Sequence, residues 1–302
     1  MMISIKQITY ALAVAEHLHF RKAAEACHVS QSTLSTALTE LEKQLGVTVF
    51  ERDTKKVLVT RVGHVLLERM QSIYIQTQDL MKLAALQTGV PDLKIGMIPT
   101  VCPYLLPKVL PVVETALPKV QLQIVEQQSH VLVDQVRTGQ IDAAILALPY
   151  PHEGLLSFEF WQEDFVWIAH RDYIALKTKT LSSQDLQQLQ LLLLSDGHCL
   201  KDHILDVCRV PYDQHLAATS LATLIALVLA KQGTTLIPQM ALKALVQSSS
   251  QRNQLMVRHL SEPGPHRRIA FIVRPNYVGL SAIETLIQLF RQGLNDADAV
   301  FE

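Results

Sequence analysis

The sequence predicts an all-α N-terminal domain with a small β wing, one long connecting helix, and a C-terminal α/β domain of two subdomains. Three observations lead there: three apolar stripes at helical spacing within the first 45 residues, one apolar stripe running from Val62 to Ala84, and alternating strand-like and helical runs from Leu93 to Phe290. The chain has 302 residues, 49% hydrophobic and 18% charged, which is ample material for more than one core.

Ile5, Ile8, Leu12 and Ala15 fall on 3-4-3 steps and predict a first helix with one buried face. Phe20 to Cys27 repeats the pattern, with Ala23 and Ala24 small enough for a close helix contact, and Cys27 shares that face as a core residue. After a break at His28-Val29-Ser30, Ser30 is a suitable N-cap. Gln31 to Leu45 then places Leu34, Leu38, Leu41 and Leu45 inward, with Gly46 as the stop. Ser32, Thr36, Thr39 and Lys43 form the opposite face, and short hydroxyl side chains let a helix backbone come close to base edges and phosphates. Val57 to Val59 reads as a wing strand with cations around it, so residues 1–62 read as a winged helix-turn-helix. The candidate DNA contacts are Ser30, Gln31, Ser32, Thr33, Ser35, Thr36 and Thr39 from the helix, with Arg52, Lys55, Lys56 and Arg61 from the wing; an ordinary solvated turn is the alternative for these cations.

Residues 63–89 read as a linker helix. Val62, Leu66, Met70, Ile73, Leu80 and Ala84 fall on 4 and 3 steps if Thr77 is admitted, a seam that wants a partner helix, although packing on its own domain would also cover it. Gly89-Val90-Pro91 ends it and opens residues 90–302. There, Leu93 to Ile98, Val120 to Val125, Ile141 to Leu148, Phe165 to Ala169, Leu191 to Leu194, Thr235 to Ile237 and Ile269 to Val273 read as strands. Leu105 to Ala116, His130 to Thr138, Ser220 to Lys231 and Leu280 to Phe290 read as helices, which predicts parallel sheets covered on both faces. Crossovers near 160 and 267 divide the domain into residues 90–161 with 268–302, and residues 162–267, facing a cleft. Ligands of such sheets sit beyond the carboxyl ends of strands. Those ends carry Thr100, Ser129 with His130, and Gly197 with His198 and Cys199, a lining suited to a very small polar ligand; helix capping is the alternative role for Thr100 and Ser129.

Cys199 and Cys208 stand nine residues apart in a run with Leu200, Ile204 and Val207 at helical spacing before Pro211. A helix between them would hold them ~13.5 Å apart. A disulfide needs Cα atoms within about 7 Å, so bonding would force the segment to rearrange. His198, Lys201, Lys177 or Arg267 near Cys199 would lower its pKa, and Asp202 would oppose them; the other reading is an inert buried cysteine. Cys199 and His203 share a helix face, but Cys208 points away, leaving too few ligands for zinc. Cys102 reads as a packing residue.

The net charge is −1; residues 1–88 carry 10 Lys+Arg against 8 Asp+Glu, and the remainder 17 against 20. So small a basic excess does not by itself indicate nucleic-acid binding. The start has no signal-peptide pattern and no apolar run is long enough to cross a bilayer, so the sequence reads as soluble and cytoplasmic, not a membrane protein, where a disulfide is usually transient.

The run Phe20-Arg21-Lys22-Ala23-Ala24-Glu25-Ala26-Cys27-His28-Val29-Ser30-Gln31-Ser32-Thr33-Leu34-Ser35, followed by Leu41-Glu42, Leu45-Gly46-Val47 and Phe50-Glu51-Arg52, resembles the N-terminal signature of LysR-type transcriptional regulators. The resemblance extends over residues 1 to about 295. It implies a periplasmic-binding-protein-like effector domain, a homodimer through the linker helix, a homotetramer, and double-stranded DNA half-sites and RNA polymerase as partners. Within the family, Ile98-Pro99-Thr100-Val101, Pro103-Tyr104-Leu105-Leu106-Pro107, Ile145-Leu146-Ala147-Leu148, Asp196-Gly197-His198-Cys199-Leu200 with Cys208, and Ala218-Thr219-Ser220-Leu221 resemble the members that sense hydrogen peroxide and control antioxidant genes. That resemblance implies no cofactor, Cys199 as the peroxidatic thiol and Cys208 as the resolving thiol. Thr100, Ser129, His130, Gly197 and His198 would line the peroxide pocket, with Arg267 or Arg268 near Cys199. Lys201 stands where arginine is common and Ser129 where threonine is common. A metabolite-responsive regulator with incidental cysteines is the alternative within the family. A thiol peroxidase or metal-dependent enzyme is the alternative outside it, and nothing in the sequence resembles a turnover site.

Overall fold

The computed structural model describes residues 2–52, 56–88, 92–173, 181–182, 184–197, 199–208, 218–247, 250–261 and 266–299. The chain falls into two units, residues 1–84 and 85–302.

The first unit holds α1 (Ile5–His17), α2 (Phe20–Ala26), α3 (Gln31–Leu45), the two-stranded wing β1 (Phe50–Arg52) and β2 (Val57–Val59), and most of α4 (Arg61–Thr88). Ser4 and Gln7 form a reciprocal capping box that starts α1. Ser30 Oγ accepts the Thr33 N–H to start α3, and Gly46 closes it in the left-handed conformation at φ +70°. The fully buried stripe of α1 is Ile8, Ala11 and Val14; of the expected stripe Ile8 is buried, Leu12 and Ala15 pack half-buried against the core, and Ile5 is exposed. The helix meets its neighbours on a face turned by about one position. Leu34, Leu38 and Leu41 fill the centre. Glu42 Oε1 accepts the N–H groups of Val49 (2.7 Å) and Phe50 (3.0 Å), pinning the wing's first strand to α3.

The expected seam of α4 divides in two. Met70 is buried in this unit's core and Leu66 packs half-buried against it, whereas Val62, Ile73, Leu80 and Ala84 are exposed, Leu80 at 66%; off the seam, Leu67 is buried and Met81 and Leu83 are exposed.

The second unit runs β3 (Asp92–Met97), α5 (Cys102–Ala116), β4 (Gln121–Glu126), α6 (Ser129–Thr138), β5 (Ala143–Leu148) and β6 (Leu156–His170), then α7 (Cys199–Cys208) and α8 (Leu221–Leu229). β7 (Thr235–Pro238), α9 (Gln239–Leu242), β8 (Leu255–His259), β9 (His266–Val273) and α10 (Leu280–Ala299) follow. The strands are ordered β4-β3-β5-β9-β6-β7, with β8 also on β6. Only the β3–β4 and β3–β5 pairs are parallel; every other pair among these strands is antiparallel, which corrects the expectation of parallel sheets. The cause is β6, one fifteen-residue strand. Its first part pairs with β9 and its last part with β7 and β8, so it serves both halves of the domain. Leu191 and Leu194 make only isolated bridges, to Thr234 and Ala218, instead of the expected strand.

Two apolar cores result. One gathers β3, β5, β9, α5 and α10 around Phe271 and Phe290, and the other gathers α7, α8 and the end of β6 around Trp167. The two subdomains meet along β6, β9 and α7.

Candidate thiol site and nucleic-acid surface

The site is built where α7 crosses from one core to the other. Leu200 and Ile204 bury into the second core, while Cys199, a quarter-turn away, packs its side chain into the first. Cys199 is a buried free thiol, and α7 is helical from Cys199 to Cys208, the arrangement in which the two positions are ~13.5 Å apart. Beside the thiol lies a narrow slit lined by Ile98, Pro99, Thr100, Gln128, Ser129, Gly197 and Cys199. Ser129, the first residue of α6, is buried there with its Oγ lacking any protein hydrogen-bond partner of normal geometry. The Cys199 sulfur lies within reach of this hydroxyl, so thiol and hydroxyl face the same slit.

Arg267 on β9 organises the back of the slit. It is fully buried, and its Nη1 and Nη2 donate to the Thr100 hydroxyl and carbonyl, each at 2.9 Å. Nε donates to Glu163 Oε1 at 2.9 Å, directly across the β6–β9 ladder, and Glu163 Oε2 accepts the Met240 N–H at 2.6 Å. One guanidinium thus ties β9, β6 and the loop before α5 into a single rigid corner.

The sequence left two readings of Cys199 open, a thiol lowered by neighbouring cations and a buried cysteine, and the structure favours burial. Burial pushes the thiol up, against the Ser129 hydroxyl, the Arg267 charge and the Ala147 backbone, while Asp202 adds to the rise. Lys201 is ion-paired with Asp196. Burial and Glu126 push Cys102 up to about 12, so this second buried thiol is inert at neutral pH.

Residues 5–64 match the bacterial regulatory helix-turn-helix protein of the lysR family, and residues 87–295 match the LysR substrate binding domain. The chain belongs to the LysR family. Family members are DNA-binding transcriptional regulators, not enzymes. A hydrogen peroxide-inducible genes activator of Dickeya chrysanthemi is 37% identical over 278 residues, 90% of each protein. Among solved structures, a full-length OxyR variant from Pseudomonas aeruginosa superposes with a TM-score of 0.77 at 32% identity, covering 96% of this chain and 95% of that one. A cysteine-to-serine variant of Corynebacterium glutamicum OxyR with hydrogen peroxide bound superposes with a TM-score of 0.65 at 31% identity, covering 99% and 95%.

In this LysR-family chain, Thr100, Ser129 and Gly197 line the slit and Arg267 backs it. His130 does not join them: it is exposed, about 100° further round α6 than Ser129. Arg268 is likewise corrected, because successive strand residues face opposite sides and its guanidinium pairs with Glu159, both half-exposed. His198, and the side chain of Cys208, lie outside the described residues. The sequence reading missed Gln128, although it directly precedes Ser129, and Glu163, whose only signal is its register opposite Arg267. Gly197 sits at φ +91°, where a Cβ would lie 2.6 Å from Gln128 Oε1. Gly197→Ala is therefore expected to cost ~1–3 kcal/mol and displace Gln128, read as a lower urea midpoint for the effector domain.

On the first unit, Ser30, Gln31, Ser32, Thr33, Thr36 and Thr39 are exposed along one side of α3, with Ser35 half-buried. The Ser30 hydroxyl is occupied in capping and Thr39 Oγ1 donates to the Ser35 carbonyl. Lys56 and Arg61 are exposed; Lys55 and the Arg52 side chain lie outside the described residues. Among the described residues no three His, Cys, Asp or Glu side chains gather as metal ligands, and no helix is long and apolar enough to cross a membrane.

Proposed function

We propose that this LysR-family chain is a peroxide-responsive, DNA-binding transcriptional regulator whose sensor is Cys199. The observation that carries the reading is the buried free thiol beside a narrow slit lined by Thr100 and Ser129, with the Ser129 hydroxyl acting on the thiol. The slit is too narrow for an ordinary inducer, which favours a ligand as small as hydrogen peroxide and requires the lining to part slightly to take it. The names of the relatives point the same way.

The chemistry balances on the protein's own groups. Thiolate Cys199 attacks one peroxide oxygen and the O–O bond breaks; the leaving hydroxide takes up the proton the thiol released, giving a sulfenic acid and water. The Cys208 thiol then attacks that sulfur, expelling a second water and forming the disulfide. Two thiols have lost two electrons, and one peroxide has become two waters. Ser129 Oγ and Thr100 Oγ1 are placed to orient the peroxide, and Arg267 favours the attacking thiolate. Closing the 199–208 loop requires α7 to unwind, and the cross-link constrains the competing extended states by ~2–3 kcal/mol of chain entropy.

Ser30 at the start of α3 and Gln31, Ser32, Thr33, Ser35, Thr36 and Thr39 on it face the major groove, and Arg52, Lys55, Lys56 and Arg61 hold the flanking phosphates. Exposed Ile73, Leu80, Met81 and Leu83 favour pairing of α4 with a second copy, placing two α3 helices on successive half-sites. A homotetramer acting with RNA polymerase at antioxidant promoters in the cytoplasm completes the reading. Mass spectrometry of peptides spanning 196–209 is expected to show loss of two hydrogens after one equivalent of peroxide, together with an altered DNA footprint. Peptides that keep both thiols while the footprint is unchanged would sink the proposal.

A further inference from the structure

α7 is held against the first subdomain at two points on one of its faces. At Cys199 the thiol packs into that subdomain's core beside the Ala147 backbone. One turn further on, ~6 Å along the axis, buried His203 bonds through Nε2 to the Pro149 carbonyl at 3.0 Å. Ala147 and Pro149 stand two residues apart at the carboxyl end of β5, so the end of one strand grips positions i and i+4 of one helix. A carbonyl can only accept, which fixes the proton on Nε2. One position beyond each, Leu200 and Ile204 anchor the adjoining face of α7 in the second core. The His203 contact therefore bridges the subdomains at the segment that must unwind.

We propose that His203 is a positioning residue: its bond to Pro149 holds α7 in the seat of the reduced thiol and so sets the potential at which the Cys199–Cys208 disulfide forms. The inference rests on the redox reading given above. The reaction at this step is the two-electron exchange between that disulfide and an external dithiol, in which the dithiol gives up two electrons and two protons and becomes the disulfide. Helix α7 keeps the His203 bond only on the reduced side, because bringing the two sulfurs together removes the helical geometry that aims the imidazole at Pro149. Losing the bond then destabilises the reduced form alone and makes the disulfide easier to form and harder to reduce.

The test equilibrates the full chain with buffers of reduced and oxidised dithiothreitol and traps the remaining thiols. His203→Ala is expected to raise the ratio of disulfide to dithiol about fivefold in a given buffer, the effect of one ordinary hydrogen bond, which for a two-electron couple is a shift of ~20 mV to more negative potential. His203→Gln, which retains an N–H donor of similar reach, should stay within about twofold of the unmodified chain. Thermal melting provides the second readout: His203→Ala should melt lower than the unmodified chain when both are reduced, and alike when both are oxidised. An unchanged ratio in His203→Ala, or an equal loss of melting temperature in both redox states, overturns the role of His203 while leaving the redox reading intact. If the unmodified chain itself forms no Cys199–Cys208 disulfide, the redox reading falls and this inference with it.

Discussion

Arg267→Met is expected to destabilise the effector domain by about 3–5 kcal/mol, because it strands the buried Glu163 carboxylate without its countercharge. Glu163 would keep one acceptor contact, the Met240 N–H, and lose the guanidinium donors that now hold its other oxygen. The Thr100 hydroxyl and carbonyl lose their donors at the same time, so the slit loses its shape as well as its charge. The measurement is convenient, since both tryptophans of the chain, Trp161 and Trp167, lie on β6 and report the unfolding of this domain in urea. Replacing both partners, Glu163→Met with Arg267→Met, should recover most of the loss, because no charge is then left buried; the coupling in this double-mutant cycle separates the ion pair from simple cavity formation. A single Arg267→Met variant within ~1 kcal/mol of the unmodified domain would mean that the corner is not held by this pair.

Local signals carried the N-terminal unit and α7. Ser30 and Gly46 bound α3 in the structure as they do in the sequence, since a cap and a left-handed stop act through their immediate neighbours. The helical run after Gly197 was legible for the same reason. What failed depended on partners far along the chain. Glu163 and Arg267 are 104 residues apart, and only the β6–β9 register shows that they face each other and that Arg268 faces away. The strand β6 was read as its apolar end, Phe165 to Ala169, because the preceding Leu156 to Asp164 carries polar residues at positions that prove to be edges of the cleft or partners of β9. The direction of the Cys199 shift stayed open because nearby cations are visible in a sequence and depth of burial is not. His203 was read only as a ligand too few; its actual partner is a backbone carbonyl, which no residue pattern reveals.

The rate at which peroxide consumes the Cys199 thiol is expected to climb about tenfold for each pH unit between pH 6 and pH 8, a rise of ~100-fold. Burial holds this thiol above its ordinary value, so throughout that window the reactive thiolate is a minor species whose fraction follows pH directly. A thiol lowered by its neighbours, the other reading the sequence left open, would instead be fully ionised and give a flat profile. Stability cannot produce the same slope. A thiol whose folded pKa is raised contributes fully below the unfolded value, and the contribution is lost only as pH rises through it towards the folded value; for Cys199, and for Cys102 at about 12, that loss begins above pH ~8.5. Urea midpoints should therefore be level, as far as these thiols are concerned, across the window in which the rate rises, so the slope reports the thiolate fraction and not a loss of global stability. Stopped-flow thiol trapping over this range, with Cys199→Ser as the unreactive reference, measures the slope. A plateau reached below pH 7 would show that the hydroxyl of Ser129 and the charge of Arg267 outweigh burial in the reacting state, and the slit would then work by stabilising a standing thiolate rather than by sheltering a thiol until peroxide arrives.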